Sequence, residues 1–206
     1  MSRSNSKYRS YLQLDKTQLR LDKIQHIINC LAIVEGENIK GDFAEVGVLQ
    51  GGITRMISRA ITNRTVYAFD TFTGLPKAQK IDGRHINIRQ ANNETLFKDY
   101  GQTAKEYIAA KNVVICEGLF PETFYARQMP SEFAFVHLDT DLYEGTKSGL
   151  EIFPQLMPVS GFIVVDDYMA KHTPGVTAAV DEYMAIAKGW KMDNKVSGQI
   201  ILRRCV

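Results

Sequence analysis

The sequence predicts an α/β fold built on a doubly wound, mostly parallel sheet. Two observations carry this. Short apolar runs recur at 43–48, 66–69, 113–116, 133–138 and 162–165, separated in several places by segments of helical periodicity. That alternation builds parallel sheets through helical crossovers. Most of these runs also end in a carboxylate, at Asp70, Glu117, Asp139 and Asp166, and ligands of open α/β sheets bind just outside the C-terminal strand ends.

In chain order, Leu21, Ile24, Ile27, Ile28, Leu31 and Val34 recur at helical spacing and stop at Gly36, so an amphipathic helix with a glycine terminator is expected. Such a helix can cover the sheet or serve a contact between copies. The run 43–48, interrupted by Glu45, reads as the first strand, and Gly51-Gly52 lead into a helix through Ile61. Val66 to Phe69 and Val113 to Cys116 are the next strands, then Phe133 to Leu138 and Phe162 to Val165. Thr146 to Met157 supplies a helix whose end is marked by Pro154 and Pro158. Thr173-Pro174 reads as an N-cap with Pro at the first helical position, followed by an apolar face from Val176 to Ala187, and Gln199 to Leu202 closes the sheet.

The 206 residues, 45% of them hydrophobic, suit one domain over 1–206, with 1–40 as leader and first helix and the first 15 or so loosely held. The 25 basic and 23 acidic residues are spread along the chain, with no polybasic block that would call for nucleic acid or an anionic membrane. No run approaches the ~20 apolar residues of a membrane span. Cys30, Cys116 and Cys205 are far apart, which argues against a disulfide framework or a zinc site and fits a reducing cytoplasm. A small dissolved substrate is the expected partner.

The chemistry concentrates in two acidic strand ends, Leu138-Asp139-Thr140-Asp141 and Val165-Asp166-Asp167. Converging carboxylates there suit a hard cation or acid/base work. Neighbours in a regular strand point to opposite faces, so Asp166 and Asp167 can share one ligand only if the strand has already turned. Taken alone, the pair also reads as a turn or helix cap. Gly47, Gly51 and Gly52 allow close backbone approach to a ligand or to packed neighbours. Their spacing is not that of a dinucleotide fingerprint. Asp70 suits the ribose of a nucleoside, or an Asx-turn. His137 reads as a hydrogen-bonded core residue, His85 as solvent-exposed or part of a lid in the polar segment 77–94, and His172 as a rival to Asp141 for the role of base.

Glu45-Val46-Gly47-Val48 with Gly51-Gly52, Asp70-Thr71-Phe72-Thr73-Gly74-Leu75-Pro76, Glu117-Gly118-Leu119-Phe120-Pro121, Leu138-Asp139-Thr140-Asp141, Val165-Asp166-Asp167-Tyr168 and Ala179-Val180-Asp181-Glu182-Tyr183 stand in this order. Together they resemble the serial motifs of the macrocin-type sugar O-methyltransferases, a metal-dependent branch of the S-adenosylmethionine methyltransferases. The resemblance implies a seven-stranded Rossmann-like sheet. It implies a cofactor cradle of Glu45, Gly47, Gly51, Gly52, Thr54, Asp70, Thr71, Phe72, Glu117, Gly118 and Asp139. It further implies Mg²⁺ on Asp139, Asp166 and Asp167, with Asp141 as general base. The acceptor would be a hydroxyl of a sugar or glycosylated small molecule, and the enzyme a homo-oligomer. Leu49 and Gln50 depart from the aromatic and basic residues that relatives often carry there. A catechol-type methyltransferase uses similar chemistry on an aromatic diol, whereas a nicotinamide oxidoreductase would leave Asp139, Asp141, Asp166 and Asp167 without work.

Overall fold

In the computed structural model, residues 15–91 and 100–206 are described. The leader expected over the first 15 residues and the end of the 77–94 segment lie largely outside them. Seven strands form one sheet: β1 (Asp42–Val46), β2 (Val66–Asp70), β3 (Val113–Glu117), β4 (Phe133–Leu138), β5 (Phe162–Val165), β6 (Trp190–Val196) and β7 (Gln199–Arg204). Their spatial order is β3-β2-β1-β4-β5-β7-β6. The first five are mutually parallel, while β7 runs antiparallel to both β5 and β6.

Alternate residues of the inner strands feed cores on the two faces of the sheet. Phe43, Phe135, Phe162 and Val164 face α1 (Leu21–Gly36) and α2 (Gly52–Ala60), meeting Ile24, Ile27, Leu31, Met56 and Ile57. The apolar stripe of α1 is therefore spent on the sheet. On the other face, Val136, Leu138, Ile163 and Val165 pack beneath α5 (Glu122–Tyr125), α6 (Tyr143–Ile152) and α7 (Pro174–Ile186). Phe153, with no exposed surface, anchors that side: its ring lies 5.2 Å from Phe133, 5.8 Å from Phe124 and 5.9 Å from Phe120.

The strands expected at Phe133–Leu138 and Phe162–Val165 match the structure, and those expected at β1, β2, β3 and β7 differ only at their ends. β6 was not expected. Its Trp190 and Met192 alternate with Lys191 and Asp193, so only one face of this edge strand packs against the core. Two further helices, α3 (Gly83–Ala91) and α4 (Gly101–Ile108), were also not foreseen. α6 begins at Tyr143 rather than Thr146, and a 3-10 turn, Phe153–Leu156, follows it at Pro154. Thr173 does sit at the N-cap of α7, but its side chain makes no capping hydrogen bond. Among the described residues, no helix is long and apolar enough to cross a membrane.

Candidate active site

The strand order reverses between β1 and β4, and the crevice at such a switch point is where open α/β sheets take their ligands. A cavity of about 1010 Å³ opens there, bounded by the C-terminal ends of the parallel strands. Four strands run into it through a residue in the left-handed region: Leu49 (φ 50°) after β1, Phe72 (φ 54°) after β2, Asp141 (φ 58°) after β4 and Asp167 (φ 62°) after β5. A non-glycine residue held so costs roughly 1–3 kcal/mol. Four of them around one cavity mark a place where backbone direction has been put ahead of local comfort.

The glycines act mainly on the protein itself. Gly47 (φ 90°) lets β1 pass the end of β4: a Cβ there would stand 1.9 Å from the Asp139 carbonyl oxygen. Gly51 faces Ile108 and Gly52 faces Lys16 in the same manner. The backbone at Gly47 and Gly52 still lines the cavity.

Asp70 makes the Asx-turn and also lies on the cavity wall. Its Oδ2 accepts hydrogen bonds from the backbone amides of Val48 (2.7 Å) and Leu49 (3.1 Å), and Oδ1 accepts one from Phe72 (2.7 Å). The carboxylate thus ties the β2 turn to the β1 turn while it remains on the cavity wall. Thr71, Phe72 and Gly118 line the same wall, and the Thr71 hydroxyl donates to the Gly74 carbonyl (2.6 Å). Glu117 does not point inward. It is exposed, paired with Lys105 Nζ at 2.9 Å.

Glu45 lies buried on β1, opposite His137 of β4 in register. Its Oε1 is 2.9 Å from His137 Nδ1, and the other oxygen accepts a hydrogen bond from Thr54 Oγ1. His137 is the hydrogen-bonded core residue expected. Thr54 stands behind Glu45 and positions it rather than facing a ligand.

β5 stops at Val165, and the positive φ at Asp167 supplies the turn that adjacent carboxylates require. Both then reach the cavity, with Asp139 and Asp141 across from them. What holds Asp166 was not anticipated. Lys23 of α1 donates from Nζ to Asp166 Oδ2 at 2.8 Å and lies 3.5 Å from Asp167 Oδ1. Gln199 of β7 donates to Asp166 Oδ1 (3.2 Å), and its own Oε1 is 2.9 Å from His26 Nδ1. Burial works against the Lys23 ammonium, yet Asp166, then Asp167 and Asp139, hold its pKa above the usual value. Burial of His26 pushes that imidazole down, against its bond to Gln199. A sequence signal for Lys23 existed: it falls at helical spacing with Ile27, Cys30 and Val34, on the buried side of α1.

His172 lines the cavity half-exposed, with Nε2 3.8 Å from Asp167 Oδ2 and its ring 6.0 Å from that of His85 on α3. Asp139 is pushed well above the ordinary carboxylate value, by burial first and then by Asp166, Asp141, Asp167 and Glu45. A carboxyl whose native pKa is raised costs the fold stability as pH climbs from the ordinary value of 3.8 to the raised one, and the loss is complete above that. Asp139→Asn should therefore be more stable than the parent at neutral pH, and the gap should close as pH falls toward 3.8. Urea midpoints taken across that range check this; equal midpoints at neutral pH would contradict it.

Comparison with known proteins identifies the family. The chain is 30% identical over 181 residues to demethyldecarbamoylnovobiocin O-methyltransferase of Streptomyces niveus, covering 82% of this chain and 68% of that one. It is 30% identical over 168 residues to 8-demethyl-8-(2,3-dimethoxy-alpha-L-rhamnosyl)-tetracenomycin-C 4'-O-methyltransferase of Streptomyces olivaceus, covering 72% and 60% respectively. The solved structure of the O-methyltransferase NovP superposes with a TM-score of 0.77 at 28% identity, covering 93% of this chain and 83% of that one. The family described as Macrocin-O-methyltransferase (TylF) matches residues 12–195. With the fold, the motifs and this match in agreement, the chain belongs to the macrocin O-methyltransferase family.

Proposed function

We propose that this protein transfers the methyl group of S-adenosylmethionine to a hydroxyl of a sugar or glycosylated small molecule. The observation that carries the reading is the convergence of Asp70, Asp139, Asp141 and His172 on one cavity at the strand-order switch. Its volume of about 1010 Å³ has room for a nucleoside cofactor beside an acceptor. The rhamnosyl group in one relative's name supports the sugar.

The residues present fit the cofactor. Asp70 keeps acceptor capacity for ribose hydroxyls after three amide bonds, because two carboxylate oxygens offer about four sites. Gly47 and Gly118 bring bare backbone to the same wall. When bound, S-adenosylmethionine supplies a methyl carbon already made electrophilic by its sulfonium.

The chain then has to orient the acceptor oxygen and remove one proton. Asp141 accepts the proton from the hydroxyl, and His172, which lines the same cavity, is the alternative acceptor. Asp141→Asn should cut kcat by about 100-fold or more with the cofactor's Kd unchanged. A larger loss in His172→Ala would hand the role to the histidine. Mass spectrometry of glycoside and catechol acceptors incubated with the cofactor tests the substrate class. Methylated glycoside supports the reading, and methylated catechol alone overturns it.

The Mg²⁺ implied by the sequence resemblance does not fit the side chains as they stand. Among the described residues, no three His, Cys, Asp or Glu groups gather as metal ligands, and Asp166 and Asp167 face Lys23 instead. A homo-oligomer would need a surface other than the apolar stripe of α1; light scattering reads that state.

A further inference from the structure

We infer that Lys23 is the resident cation of the acidic strand ends, holding the position a divalent ion would take and excluding it. The ammonium sits 2.8 Å from Asp166 and 3.5 Å from Asp167, and its side chain is only 11% exposed. Mg²⁺ demands oxygen ligands at about 2.0–2.1 Å in near-octahedral array. An ammonium and a divalent ion cannot both lie against the same two carboxylates, because their repulsion at such separations is large even in a screened interior.

Nor is Lys23 a long side chain that happened to fold inward. Its helix is fixed on both sides of the ammonium. Asp22 accepts a hydrogen bond from Ser197 Oγ in the β6–β7 turn, and His26, one turn on, meets Gln199, which also binds the second oxygen of Asp166. Both Asp166 oxygens are thus committed to protein donors delivered by α1 and β7. Displacing the lysine would leave Asp166 Oδ2 without its ammonium donor while Gln199 still holds Oδ1. Lys23 also lines the cavity, and an ammonium carries three donors, of which two serve the carboxylates. The third can serve an oxygen of the acceptor, an electrostatic task often given to a metal.

Binding of Mn²⁺ to the full chain, followed by the loss of its free paramagnetic signal, tests this without cofactor or acceptor, so the result stands apart from the proposed reaction. The parent should show no saturable uptake below millimolar Mn²⁺. Lys23→Met keeps the apolar stem and removes the charge, and should bind one ion per chain at least about 100-fold more tightly. Adding Asp166→Asn should abolish that gain. Lys23→Gln serves if circular dichroism finds the methionine variant unfolded. Micromolar binding by the parent, or no gain in a folded Lys23 variant, would overturn the inference.

Discussion

Asp166→Ala destabilises the fold by about 3–5 kcal/mol, because it leaves the Lys23 ammonium buried with its principal partner removed. Asp167, at 3.5 Å, holds the ammonium more weakly than the 2.8 Å charge-assisted bond that is lost. Gln199 loses its acceptor at the same time. The loss should come mainly from the stranded charge, so a second substitution that removes it should restore most of the stability. Urea unfolding of Asp166→Ala, Lys23→Met and the double variant carrying both checks this. The double variant should lie well above Asp166→Ala. If the losses simply add, the pair is not coupled. The pH dependence follows from the direction of the Lys23 shift. A raised ammonium pKa means its stabilisation is whole below the ordinary value of 10.5 and fades only as pH climbs through the raised one.

Phe153→Ala costs a similar amount, about 3–5 kcal/mol, by a different route. Phe153 is fully buried in the 3-10 turn after α6, and four other phenylalanine rings surround it: Phe69, Phe120, Phe124 and Phe133. The ring of Phe120 lies parallel to it at 5.9 Å, and that of Phe133 meets it edge-on at 5.2 Å. These rings come from four different elements or turns, so the backbone cannot collapse into the void without moving β2 and β4. The midpoint of thermal unfolding should fall by about 10 °C. Phe153→Leu, which refills much of the volume, should lose less than half as much. A shift of only a degree or two in Phe153→Ala would mean the site relaxes freely.

Much of this structure was legible because its signals are local. The strands at Phe133–Leu138 and Phe162–Val165 are buried throughout and apolar but for His137, as a strand covered on both faces tends to be. Asp139, Asp141, Asp166 and Asp167 stand at strand ends, where a parallel sheet puts its ligand site. β6 escaped notice because its alternation of Trp190 and Met192 with charged residues spans few positions and packs on one side only. Glu117 was read by its place in a motif, yet its neighbour Lys105 of α4, a helix the sequence did not reveal, turns it outward.

Lys23 was the costliest omission. One lysine in an amphipathic helix usually reaches water, and only its alignment with Ile27 and Cys30 said otherwise. Its partner Asp166 is 143 positions away, and no periodicity reports a pairing at that range. The carboxylates were visible from sequence, and the ammonium that faces them was not.

The central claim is that this cavity binds S-adenosylmethionine for methyl transfer with the charges it already carries. Calorimetric titration of the full chain with S-adenosylmethionine, in buffer containing a chelator of divalent ions, tests it most directly. The account predicts saturable binding at one site per chain with micromolar affinity, weakened by Asp70→Ala. A folded protein that takes up no cofactor, with or without divalent ions, would contradict it.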